Sequence, residues 1–126
     1  MKRVTGLGGI FFKSADNASV MDWYSKHLGI PTESWGAAFK WRNHEDPSIE
    51  SYTAWSPFKG DTKYFEPSQH DFMINYQVDD LHALLKALQE EGVQIVGEVH
   101  ESEYGKFGWI LDPEGRKIEL WEPPKP

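Results

Sequence analysis

Cysteine is absent from the 126-residue chain, which removes thiolate metal sites, a cysteine nucleophile and disulfide staples together and fits a reducing compartment. At this length no staple is needed, because one domain, or two small repeats sharing a core, buries a large share of the surface its unfolded chain would expose. Positive charge is scarce as well: 13 Lys and Arg face 20 Asp and Glu, for a formal net charge of −7. That balance opposes the basic surface that phosphate backbones and anionic lipids require, so neither a nucleic-acid nor a membrane partner is expected. No apolar run approaches transmembrane length, and the opening Met1 to Gly9 lacks the apolar core of a signal peptide; the chain reads as cytoplasmic. Gly6, Gly8 and Gly9 match neither the GxGxxG nor the P-loop pattern, and read as places where neighbouring backbones come close. His27, His44, His70, His82 and His100 show no HxH or HxxxH spacing, so spacing signals no pair of metal ligands.

What the chain has in surplus is aromatic residues, 14% of the total with six Trp. A core of this size needs fewer, and some rings are expected to line a pocket or a subunit interface. The segment Phe107 to Pro124 sets them beside charge. Asp112, Pro113 and Gly115 supply an acceptor, a fixed φ and a residue tolerant of positive φ where a type I turn wants them, so the segment reads as a β-hairpin. Alternation along Lys117, Ile118, Glu119, Leu120 and Trp121 sends Glu119 and Trp121 to one face and Ile118 and Leu120 to the other. A carboxylate beside a Trp at that place is either a partly solvated surface residue or part of a concave site, and this stretch alone leaves both open.

In chain order, Val4 to Lys13 reads as a strand with Ile10 and Phe12 on one face and Phe11 and Lys13 on the other. Asp16 or Asn17 caps a helix near Ala18 to Leu28, with Val20, Tyr24 and Leu28 forming a stripe against a sheet, and Gly29 stops it. Two further strands follow, Ala37 to Arg42 and Glu50 to Trp55, and Phe58 to Gln69, with Gly60, Pro67 and several charges, reads as the connection between halves. The order then repeats. Phe72 to Val78 is a strand, Asp79 or Asp80 caps a helix near Asp80 to Glu91 with Leu81, Leu84, Leu85 and Leu88 inward, Gly92 ends it, and Val93 to Val99 leads into the hairpin. Landmarks recur at near-constant spacing: Gly9 to Met73 is 64 positions, Gly29 to Gly92 is 63, Phe39 and Trp41 to Phe107 and Trp109 is 68, and Trp55 to Trp121 is 66. Such self-similarity predicts an α+β fold of two tandem βαβββ modules, about 1–58 and 64–126 of a single domain 1–126. Each unit is too small to bury its own face, so their twisted mixed sheets are expected to form a cup with the helices outside.

The paired modules resemble the vicinal oxygen chelate superfamily, which holds glyoxalase I, bleomycin-resistance proteins, methylmalonyl-CoA epimerase and extradiol dioxygenases. The resemblance is carried by H-L-G-I at His27 to Ile30, V-D-D at Val78 to Asp80, E-G-V at Glu91 to Val93 and D-P-E-G-R-K-I-E-L at Asp112 to Leu120. It implies metal ligands, usually three or four His, Glu or similar residues, on inward positions of the first and last strands of both modules. Those positions are Gly9, Thr53, Met73 and Glu119. Gly9 has no side chain, Thr53 is a poor ligand for a divalent ion, and the Met73 thioether suits Cu(I) and not the Zn, Ni, Fe or Mn that the superfamily employs. One carboxylate cannot hold such an ion. No cofactor is therefore expected, and a divalent metal in a non-standard site is the alternative.

Parity puts Phe11, Lys13, Met73, Asn75, Gln77, Glu119 and Trp121 toward the cup, with Phe39, Trp41, Phe107 and Trp109 as further rings. The candidate ligand-binding residues are Phe11, Lys13, Met73, Asn75, Gln77, Trp109, Glu119 and Trp121, an apolar lining with a few polar groups of the kind small-molecule sites carry. Glu119 is the candidate catalytic residue, a general base only if burial raises its pKa. The expected function is metal-free binding of a small aromatic or partly cationic molecule, bleomycin-resistance-like, because an acid flanked by rings attracts cations; the resemblance implies a homodimer, whose two-fold interface the surplus Trp would suit. The competing expectations are a glyoxalase-like lyase or isomerase, or a dioxygenase, that uses Glu119 and a displaced metal, and a module whose cup is filled by its own side chains. For a Glu119→Gln change the sequence suggests weaker binding with folding hardly altered.

Overall fold

The computed structural model describes residues 2–125; Met1 and Pro126, the outer limits of the two expected modules, lie outside them. The elements run β1 Val4–Ser14, α1 Asn17–Leu28, β2 Ala37–Arg42, β3 Glu50–Lys59, β4 Phe72–Val78, α2 Leu81–Glu90, β5 Ile95–Ser102, β6 Gly105–Leu111 and β7 Lys117–Glu122. All seven strands join one mixed, open sheet in the order β2-β3-β1-β4-β7-β6-β5. Its centre is the antiparallel pair β1 and β4, in register at Ile10 and Ile74, and each of these strands is flanked by the last strand of its own module in parallel. The fold class is the α+β arrangement of two modules, with two departures. The halves share one continuous sheet through β1 and β4, and the first module has one strand fewer than βαβββ among the described residues. Where its missing strand would lie, Pro31 cannot donate to a ladder, and the stretch carries only an isolated bridge between Glu33 and Gly36.

Local chemistry explains the helices. Asp16 accepts the Ser19 N–H at 3.1 Å to cap α1, and Gly29 closes it with φ of 69°. Asp80 does the same for α2 through the Ala83 N–H at 3.1 Å, and Glu122 of β7 accepts the Leu81 N–H at 2.8 Å, satisfying a second free donor of that first turn. Buried Leu81 and Leu84 then dock on Val78, Ile110 and Leu120 to form the main core, each side chain contributing about 1.5–3 kcal/mol of burial. The other helix is anchored more lightly. Tyr24 meets Phe12 and Trp55 with ring centroids 6.5 and 4.9 Å apart, while Leu28 of the expected stripe is exposed and α1 buries no residue completely.

The sheet thus has a helix side, carrying Ile10, Phe12 and Trp55, and a cup side. Register puts Gly9, Phe11, Met73 and Asn75 together on the cup side, with Glu119 beside Asn75. Across the cup runs the connection between the halves. Phe65, in that irregular segment, has no exposed surface; it packs on Phe58 at 5.2 Å, and Phe58 meets Phe11 at 5.2 Å. The connection is therefore a plug as well as a linker.

Candidate functional site

Glu119 stands in mid-strand on β7, next to Asn75 of β4 and opposite Trp109 of β6. It is 3% exposed, and a carboxylate that deep must be answered by donors. Asn75 Nδ2 donates to Oε1 at 2.6 Å, Trp109 Nε1 donates to Oε2 at 2.9 Å, and the Tyr64 hydroxyl also donates to Oε2. Tyr64 comes from the plug. Its ring is half-exposed with the hydroxyl turned inward, and burial of that hydroxyl, then the Glu119 charge and hydrogen bond, raise its pKa, so it remains a donor at neutral pH. Lys117 sits against the same two rings, its Nζ 5.2 Å from the Tyr64 centroid and 5.5 Å from that of Trp109, and donates to the Tyr64 carbonyl at 2.7 Å. Burial lowers the Lys117 pKa, opposed by the charges of Glu119 and Glu66. Behind Glu119, buried Asn75 leaves Oδ1 without a partner, in a niche that exists because a β-carbon at Gly8 would overlap that oxygen.

The residues at the superfamily's metal positions do not fit a divalent ion. A β-carbon on Gly9 would already lie 2.6 Å from the Phe11 ring, Met73 is fully buried, and the Thr53 hydroxyl accepts the Trp41 indole N–H at 2.9 Å while donating to the Leu7 carbonyl at 2.6 Å. Register also places Thr53 on the parity of Trp55, the helix side, with Ala54 and Ser56 level with Gly9 and Phe11. Glu119 has both oxygens committed to protein donors. No cluster of three His, Cys, Asp or Glu side chains able to share an ion occurs among the described residues.

Open space lies beside the plug. A pocket of about 430 Å³ on the cup side of the β5–β6 hairpin is lined by Tyr64, His100, Ser102, Tyr104, Phe107 and Trp109. Register explains the grouping, since His100 faces Phe107 across the ladder and Ser102 follows at the next position of the same face. Of the eight candidate ligand-binding residues only Trp109 lines this pocket. Gln77 instead bonds Ser51 at 2.7 Å and the Tyr52 carbonyl at 3.0 Å, bordering a more polar pocket of about 470 Å³ shared with Trp41 and Glu122. Trp121 is a buried wall: it stacks on Phe107 at 6.0 Å with 5° between planes and donates its indole N–H to the Tyr104 carbonyl at 2.7 Å. Phe11, Met73 and Lys13 pack in and around the plug, with Lys13 Nζ 5.9 Å from the Phe65 centroid. Sequence reasoning missed Tyr64, His100, Ser102 and Tyr104. Alternation opposite Phe107 and Trp109 could have found His100 and Ser102; no local pattern marks Tyr64.

Comparison with known proteins extends the geometry. Solved structures that resemble this one include methylmalonyl-CoA epimerase from Mycobacterium tuberculosis, 21% identical, with a TM-score of 0.62 over 97% of this chain and 90% of that one. Catechol 2,3-dioxygenase is 18% identical, with a TM-score of 0.66 over 99% of this chain and 41% of that one. The Mn(II)-bound glyoxalase from Novosphingobium aromaticivorans is 15% identical, with a TM-score of 0.63 over 97% and 40%. Likeness at such identities shows the shared fold, which hosts different chemistries. No curated protein matches the chain by sequence. The family description that does match, over residues 10–120, reads Glyoxalase/Bleomycin resistance protein/Dioxygenase superfamily. The chain belongs to that superfamily.

Proposed function

We propose that the chain binds a small organic molecule in the aromatic pocket beside the β5–β6 hairpin, without a resident divalent ion. The observation that carries this reading is the pairing of a pocket of about 430 Å³, walled by Tyr64, Tyr104, Phe107 and Trp109, with metal positions given over to packing. Large, mostly apolar concavities with a few polar groups are where small ligands bind. Glu119 then serves as a positioning residue and not as a base. It accepts hydrogen bonds from Tyr64 and Trp109, two of the four ring-bearing walls, and so fixes their orientation. A general base would need to come within hydrogen-bond reach of its substrate's proton, whereas three protein donors surround the Glu119 carboxylate and only 3% of the residue is exposed. Half-exposed Leu7 and Ile10 on the helix side of β1, where α1 covers β3 and α2 covers β6 and β7, support a homodimer as part of the same reading.

A thermal-shift series against Zn(II), Mn(II), Ni(II) and Fe(II) and a set of small aromatic compounds tests it, since anything that binds only the native state stabilises it by mass action. The expected result is a shift with aromatic compounds and none with the ions. Stoichiometric metal retained through dialysis would overturn the proposal and return the enzyme reading, with Glu119 as one of its ligands.

A further inference from the structure

Resting on that reading of the pocket, we infer that its ligand is a neutral planar aromatic molecule with a hydrogen-bonding edge, and not a cation. Rings beside an acid ordinarily recruit positive groups through the ring quadrupole and the charge. Here both attractions are already used within the protein. The Lys117 ammonium lies 5.2 and 5.5 Å from the Tyr64 and Trp109 centroids, held there by its 2.7 Å bond to the Tyr64 carbonyl. Glu119 stands behind those rings with its oxygens bonded to Asn75, Trp109 and Tyr64. Lys117 and Glu119 stand behind the same rings with opposite charges, so they give the pocket no net sign that would draw an ammonium in. An anion fares no better, because the lining contains no Lys or Arg to receive it.

What the lining does offer is uncharged. Tyr64 and Trp109 stand edge to face at 83° with centroids 6.2 Å apart, and Phe107 is held parallel to Trp121, so flat surfaces with fixed orientation are ready to stack. His100 and Ser102, alternate residues of β5, supply a hydrogen-bonding pair on the same side. Such a wall matches a ring system whose edge carries a hydroxyl or a ring N–H.

Three probes on one skeleton test the assignment: 2-naphthol, 2-naphthoate and 2-naphthylmethylammonium, titrated at neutral pH into the 126-residue protein. Calorimetry gives affinity, and the indole N–H resonance of Trp109, assigned with Trp109→Phe, reports location. The expected result is that 2-naphthol moves that resonance and binds about tenfold or more tighter than either ion, with about tenfold lost in a His100→Ala and Ser102→Ala double variant. Equal or tighter binding of the ammonium or the carboxylate, or an undiminished affinity in the double variant, would overturn the neutral, hydrogen-bonded assignment while leaving the pocket in place. Absence of binding by all three at millimolar concentration, or binding that leaves the Trp109 resonance unmoved, would overturn the pocket reading itself.

Discussion

At residue scale, Glu119 is a carboxylate that three neutral donors hold in place. Replacing it with Gln turns one acceptor into a donor facing donors, and the Asn75 amide or the Trp109 indole loses its partner in a dry site. The Glu119→Gln protein is expected to be destabilised by about 2 kcal/mol, the scale of a buried hydrogen bond to a charged group, read as a lowered urea midpoint. The sequence suggested that this change would hardly touch folding, because alternation could aim the acid at the cup but could not reveal how completely the protein itself surrounds it. Tyr64 makes a second expectation at this scale. Its folded-state pKa is raised, by burial first and by Glu119 second, so the folded protein keeps a proton that the unfolded chain gives up above about pH 10. In that range the unfolded state binds fewer protons, and stability must fall as pH rises. Urea midpoints between roughly pH 9 and 12 are expected to drop more steeply for the native sequence than for Tyr64→Phe, and parallel curves would remove the phenol from the account.

Among the elements, the connection between the halves departs furthest from its sequence signature. Gly60, Pro67 and several charges read as the connection between halves, and Phe65, next to Tyr64, belongs to no periodic apolar pattern, yet it has no exposed surface and fills the cup against Phe58. Phe65→Ala is expected to cost about 3–5 kcal/mol, a core-sized loss from a segment without helix or strand; a change below about 1 kcal/mol in chemical denaturation would show that the plug is loose. The regular elements were more legible because their signals are local. Asp80 followed by Leu81, Leu84, Leu85 and Leu88 specifies α2 from one turn to the next, and Asp112 to Gly115 specifies the turn before β7. The missing strand of the first module was illegible for the opposite reason. Repeat symmetry argued for it, and Pro31 together with Gly36 at φ of 136° argued against it more strongly.

For the whole molecule, the paired modules were visible in landmark spacing, and the residue types standing at the superfamily's metal positions could be read one by one. The aromatic pocket was not, because it is closed by Tyr64 reaching Glu119 from 55 residues away. Sedimentation at micromolar concentration is expected to give twice the 14.5 kDa chain mass, and a monomer would leave Leu7 and Ile10 without the cover proposed for them. The sheet order has a kinetic consequence. The earliest strand in the chain sits at the middle of the sheet, with Gly9 paired to Ala54 on one side and Ile10 to Ile74 on the other. Neither neighbour can be reached without closing a long loop, whereas β5, β6 and β7 zip together through short turns. Contacts so distant along the chain make for slow folding, on the order of milliseconds to seconds, and stopped-flow refolding should find the hairpins of the second half formed before the centre. The N-terminal strand is then the keystone: first in the chain, last to be gripped on both sides, and exposed along one edge in any nascent chain that stops short of Val78.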